Sequence, residues 1–216
     1  DVTPPSVTCP GSVTKSTNPG VCTYKTINTE FDPTVTDNCA GPNPAPTRTY
    51  TVTGVTTPSG VGGATPATGS GTLSGTVFNK GTSIVTWLVM DGSGNTSSCS
   101  FTVIVVDTEL PTVVCTGNKI VSTDPNVCTY THPLGNLTWN AQAGDNCALV
   151  VLSYALSGAT VGTSTNFSSL EGQVFQRGVT TVLYTAKDLA GNTATCSFTV
   201  TVNDNQAPTI SCVGNQ

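Results

Sequence analysis

The 216 residues suffice for one large domain or two of ordinary size, and only 9% of them are charged. A net charge of −5 disfavours nucleic acid and anionic membrane surfaces, and no run of about 18 apolar residues is present to insert into a bilayer. Nine cysteines beside a single histidine, with no Cys-x-x-Cys pair, point to disulfides in an oxidising compartment rather than to metal binding.

In chain order, the first element is a start signature with Asp1, Pro5 and Cys9. It returns as Asp107, Pro111 and Cys115, and again as Asp204, Pro208 and Cys212. Each complete unit continues through a second cysteine (Cys22, Cys128) and an Asp-Asn-Cys tripeptide ending at Cys39 or Cys147. Next comes Leu-x-Gly-x-Val-Phe at 73–78 and 170–175, then Asp-x-x-Gly-Asn at 91–95 and 188–192. Cys-Ser-Phe-Thr-Val closes both units at 99–103 and 196–200. Six blocks in the same order define a tandem repeat. The boundaries expected are 1–106, 107–203 and a truncated third unit at 204–216, with any targeting signal upstream of Asp1. Cys212 would then pair beyond residue 216, and a free thiol is the alternative.

Unit one is longer between Cys39 and Leu73, where residues 54–75 are rich in Gly, Thr and Ser and read as a loop. Toward the end of each unit the period of two is clear. Residues 195–202 alternate Cys196, Phe198, Val200 and Val202 with Thr or Ser, and Val182, Tyr184 and Ala186 match Val85, Trp87 and Val89. The Asp-x-x-Gly-Asn block between these strands reads as a hairpin turn with glycine at positive φ. No useful helical period appears. The fold class predicted is all-β, as tandem immunoglobulin-like Greek-key sandwiches of about seven strands each, disulfide-bonded. A closed barrel is the alternative.

These blocks together resemble the hyalin-repeat (HYR) domain, over nearly the whole chain. The resemblance implies immunoglobulin-like extracellular modules implicated in cell adhesion. The four-cysteine form is similar to tandem arrays on Bacteroidota cell surfaces, including gliding or attachment adhesins. Family members with only two cysteines resemble this chain at the first and last positions of each unit. That implies Cys9–Cys99 and Cys115–Cys196, which leaves Cys22–Cys39 and Cys128–Cys147.

No catalytic constellation stands out, so the chain reads as a non-enzyme. His132, the sole histidine, reads as a surface or strand-end residue with no counterpart in unit one. Calcium is the one ion considered: Asp107, Glu109, Asp145 and Asp188 are expected to meet at the junction between modules as hard oxygen ligands. The competing reading is that Asp91 and Asp188 hydrogen-bond their own turns. Glycosylation sequons occur at Asn95, Asn136 and Asn166, and residues 150–156 read as a buried strand. The function expected is a stalk or fibre spacer of a large surface adhesin used in attachment or gliding. Its partners would be neighbouring repeats, and beyond them a surface glycan or another cell-surface protein. Alternatives are a glycan- or protein-binding module acting through the 54–75 loop, or accessory repeats attached to a secreted enzyme.

Overall fold

β-Branched and small polar residues alternate through most of the chain, and such sequences settle as half-buried pleated strands. The computed structural model describes residues 1–39, 45–56, 67–147, 150–164 and 169–210. Among them there are strands and turns but no helix. The chain divides into two compact units, Asp1–Glu109 and Leu110–Gln216.

The first unit contains β1 (Ser6–Thr8), β2 (Val13–Ser16), β3 (Thr23–Lys25), β4 (Thr34–Thr36), β5 (Thr47–Gly54), β6 (Ala67–Ser70), β7 (Val77–Asn79), β8 (Gly81–Met90) and β9 (Thr96–Val106). One sheet has the order β2-β9-β8-β5-β6, with β2 parallel to β9 and the other neighbours antiparallel. Two antiparallel pairs, β1–β4 and β3–β7, supply the rest of the sandwich. The first strand is therefore divided. β1 pairs with β4, the chain turns through Cys9-Pro10-Gly11, and β2 then joins β9. Pro10 has no N–H to donate, so the break falls where a ladder bond would be lost anyway.

The second unit repeats this plan with β10 (Thr112–Val114), β11 (Lys119–Ser122), β12 (Thr129–Thr131), β13 (Gln142–Gly144), β14 (Val151–Gly158), β15 (Gly162–Ser164), β16 (Val174–Gln176), β17 (Gly178–Lys187) and β18 (Thr193–Asn203). Its large sheet has the order β11-β18-β17-β14-β15, and β10–β13 and β12–β16 are the short pairs. Each unit is an immunoglobulin-like sandwich. Residues 91–95 and 188–192 form the hairpin turns expected, with Gly94 at φ 88° and Gly191 at φ 98°.

The alternation places the core. On β8, Val85, Trp87 and Val89 are each 0% exposed, and Val182, Tyr184 and Ala186 on β17 match them. From the opposite side Phe31 meets Phe78 and Phe101 edge-on at 5.6 and 5.8 Å, and Trp87 Nε1 donates to Phe31 O at 3.1 Å. A buried indole with its N–H satisfied keeps both its apolar area and its polar handle.

His132 corrects one expectation. It does follow the end of β12, but it is fully buried, not at the surface. It fills the place of Thr26 in the first unit: His132 N donates to Gln173 O at 2.9 Å, as Thr26 N does to Thr76 O. Its ring stacks on Trp139 at a centroid distance of 4.1 Å, with Nε2 2.9 Å from Asn136 O. Burial pushes the imidazole below its ordinary value of 6.5. With the folded value below the unfolded one, the stabilisation is complete above 6.5 and is lost as pH falls beneath it. The second unit is therefore expected to lose stability as pH falls below about 6.5. Denaturant titration of a Trp87→Phe chain, monitored by Trp139 fluorescence, will show this loss, and His132→Thr will reduce it.

Candidate functional site

The chemistry of this protein gathers at its sulfurs and at the ends of its sandwiches. Cys9 lies in the break of the divided first strand, and Cys99 is on β9 opposite Trp87. They are bonded with Cα atoms 5.7 Å apart, and Cys115 and Cys196 are bonded at the same distance. Both pairs pack against the cores. They close loops with sequence separations of 90 and 81, each worth on the order of 4–5 kcal/mol in the chain-entropy account.

The other pairs expected, Cys22–Cys39 and Cys128–Cys147, are not formed. Cys39 and Cys128 are exposed free thiols, whereas Cys22 and Cys147 are disulfide-bonded. The physical reason is distance within the sandwich. Cys22 O accepts from Lys80 N at 3.3 Å, and Lys80 Nζ is 3.5 Å from Asp107 Oδ2, at the end where β9 finishes. Cys39 follows β4 at the opposite end, and its neighbour Asn38 reaches Asp1 Oδ1 at 3.5 Å. β9, with 11 residues, separates these ends by roughly 33 Å at ~3.3 Å per residue. A disulfide needs Cα atoms within about 7 Å. Cys212 lies outside the described residues.

The acidic positions converge in the first unit. Asp1, Asp37 and Asp91 each place a carboxylate oxygen within 4.8 Å of the others, and they are the repeat counterparts of Asp107, Asp145 and Asp188. Asp91 Oδ1 accepts from Ser93 N and Asn95 N at 2.8 Å, and Oδ2 accepts from Asn95 Nδ2 at 2.8 Å. The Asn95 side chain, with these backbone donors, holds the Asp91 carboxyl below its ordinary value. Asp37 Oδ1 accepts from Cys39 N at 2.8 Å, while its Oδ2 is buried with no hydrogen-bond partner among the described residues. Three carboxylates with an orphaned buried oxygen fit a hard cation such as Ca²⁺.

In the second unit, Asp188 Oδ1 accepts from Asn192 N and its Oδ2 from Asn192 Nδ2, both at 2.8 Å. Asp145 Oδ2 accepts from Cys147 N at 2.8 Å, and its Oδ1 has no hydrogen-bond partner among the described residues. Asp107 is buried and ion-paired with Lys80, and Glu109 Oε2 accepts from Gly20 N at 2.8 Å. Both turn aspartates thus hydrogen-bond their own turns, and in the first unit that does not keep Asp91 from the acidic cluster. Asn95, a sequon residue, is engaged with Asp91, and Asn166 lies outside the described residues. The 54–75 segment, expected to be a loop, contains strand β6, which extends the large sheet by pairing with β5 because its Thr-Gly-Ser residues fit an edge position; Val55 N donates to Thr82 O at 3.1 Å, and residues 57–66 are not described.

Two outcomes test this geometry. Replacing Cys9 and Cys99 together by Ser is expected to cost the first unit about 2–5 kcal/mol in denaturant unfolding. Asp91→Ala is expected to lower the Tm at neutral pH. The carboxylate stabilises above its unfolded value and less as pH falls through the depressed folded one, so the difference from the parent chain should shrink in acid.

Comparison with known proteins follows the same lines. The HYR domain profile matches residues 47–105 and 106–202. Hyalin of Strongylocentrotus purpuratus is 29% identical over 232 residues, which cover 100% of this chain and 15% of that protein. Hyalin of Lytechinus variegatus is 35% identical over 130 residues, covering 59% of this chain and 22% of that protein. Sushi, von Willebrand factor type A, EGF and pentraxin domain-containing protein 1 of Rattus norvegicus is 31% identical over 128 residues, covering 58% of this chain and 3% of that protein. The chain thus spans a small fraction of the relatives it matches.

Proposed function

The chain belongs to the HYR domain family, and from that premise we propose that it is a spacer segment of a large extracellular adhesion protein, not an enzyme. The observation that carries this reading is the repetition of one sandwich with almost nothing between copies. β9 ends at Val106 and β10 begins at Thr112. In this reading the modules are residues 1–106 and 107–203, a third opens at 204, and neighbouring repeats are the principal partners. Two-layer sandwiches with internal disulfides suit an oxidising exterior. Attachment or gliding as the task, and a Bacteroidota-type surface as the setting, rest on the four-cysteine pattern alone.

Deleting residues 107–203 from the host polypeptide tests the role. A spacer leaves surface display and adhesion intact and shortens reach. Adhesion lost with display preserved overturns the spacer in favour of a binding module.

A second reading has its own observation. The convergence of Asp1, Asp37 and Asp91 supports calcium bound at the entry end of each module, with Asp107, Asp145 and Asp188 as the equivalents in the second. A divalent cation would offset the repulsion of three like charges. Chelation with EDTA in calcium-containing buffer is expected to lower the Tm, and Asp37→Asn to diminish that response. An unchanged Tm removes calcium from the account.

A further inference from the structure

We propose that Asn136 is the N-glycan acceptor of this chain, carrying an oligosaccharide on its side-chain nitrogen in the loop that follows β12. The site depends on the extracellular location of the chain and not on the spacer role.

Three Asn-x-Ser/Thr triplets occur, at Asn95, Asn136 and Asn166, and the fold treats the two described ones differently. Asn95 Nδ2 donates to Asp91 Oδ2 at 2.8 Å and to Asp1 O at 3.2 Å. Its triplet also runs straight into β9, where Thr96 and Ser97 pair with Met90 and Val89. A side-chain amide carries two N–H donors, and attachment of a sugar removes one of them. Glycosylation there would cost a hydrogen bond of the hairpin that holds Asp91. Asn136 is the converse case. Its Oδ1 accepts from Thr138 N at 3.1 Å and from Thr138 Oγ1 at 2.6 Å, and Nδ2 has no partner among the described residues. A backbone N–H can only donate, so the atom facing it is the amide oxygen and the nitrogen is the free end. The hydroxyl that completes the triplet is thus already turned onto the acceptor side chain.

The loop supplies a second observation. Asp32 and Asn140 are equivalent, since each accepts from the backbone N–H of a core leucine, Leu73 or Leu170. Counted from Thr26 and His132 to these positions, the loop of the second unit is two residues longer. In the first unit the loop closes on itself through Glu30, which accepts from Tyr24 Oη, Lys15 Nζ and Ile27 N. The longer loop instead leaves Leu134 and Leu137 83% and 58% exposed, on either side of a half-buried Asn136. An oligosaccharide at Asn136 would cover them with a bulky, solubilising group. The backbone is meanwhile fixed: Gly135 N donates to Glu171 Oε1 at 2.6 Å, and Asn136 O lies 2.9 Å from His132 Nε2. An ordered surface loop with an uncommitted amide nitrogen is the setting an N-glycan needs.

In the transfer, Asn136 Nδ2 forms a bond to C1 of the first sugar of a lipid diphosphate-linked oligosaccharide. The bond from C1 to the diphosphate oxygen breaks, the lipid diphosphate leaves with its electron pair, and the amide gives up one proton. Oδ1 keeps both contacts to Thr138, so the loop has the same geometry with or without the glycan.

The test uses the whole chain, secreted from animal cells as an Asn166→Gln variant, so that only the two described triplets remain. Enzymatic release of N-glycans in heavy-oxygen water converts each occupied asparagine to an isotopically labelled aspartate, which mass spectrometry locates. The label is expected at position 136 in most molecules and not at position 95. Adding Asn136→Gln is expected to abolish the glycan-dependent loss of gel mobility. Thr138→Ala should do the same, while Thr138→Ser retains it. His132 meets Asn136 only through its backbone oxygen, so the Gln variant is expected to be secreted and folded like its parent. An unlabelled position 136 in the secreted chain, or a mobility shift that survives Asn136→Gln, overturns the proposal.

Discussion

A sandwich of about a hundred residues has little interior, and here that interior is held together at the point where the first strand changes layers. β1 pairs in one layer and β2 in the other, so the segment between them is committed to neither ladder. Cys9 lies in that segment, and its bond to Cys99 ties it to β9 beside Trp87. Cys115 and Cys196 do the same beside Tyr184. Because the cross-link closes nearly the whole module, it restricts the unfolded chain more than a local bridge would. The large rings then pack against a frame whose ends are already fixed.

With the frame set by strands, the ends of each sandwich are left to turns, and turns are where polar chemistry collects. Asp91 accepts three hydrogen bonds inside its own hairpin, and that order brings it beside Asp1 and Asp37. A carboxylate so held is a structural brace and, in the calcium reading proposed above, a pre-positioned oxygen ligand. The two roles share one geometry, since a ligand positioned by its turn loses less freedom when an ion arrives.

A spacer has different needs from a binding domain. It must resist unfolding and pass force along its length, and neither task calls for a concave pocket. In the spacer reading proposed above, the low charge content, the buried cores and the short 107–111 connection suit that work.

Much of this was legible in the residues alone. Alternation at 195–202 and at Val85, Trp87 and Val89 identified the buried faces, because side chains two apart on a strand share a face whatever surrounds them. The glycines at 94 and 191 marked hairpins, because a tight turn needs positive φ there. Tertiary structure decided what depends on direction through space. Cys22 and Cys39 are close in sequence, yet the chain between them runs the length of the sandwich, and separation along a chain does not record which way it travels. His132 was equally hidden, since only the fold shows that Trp139 lies over its ring. Strand periodicity is a local property and is written in the sequence, whereas the end of the module each loop reaches is set by how the strands assemble.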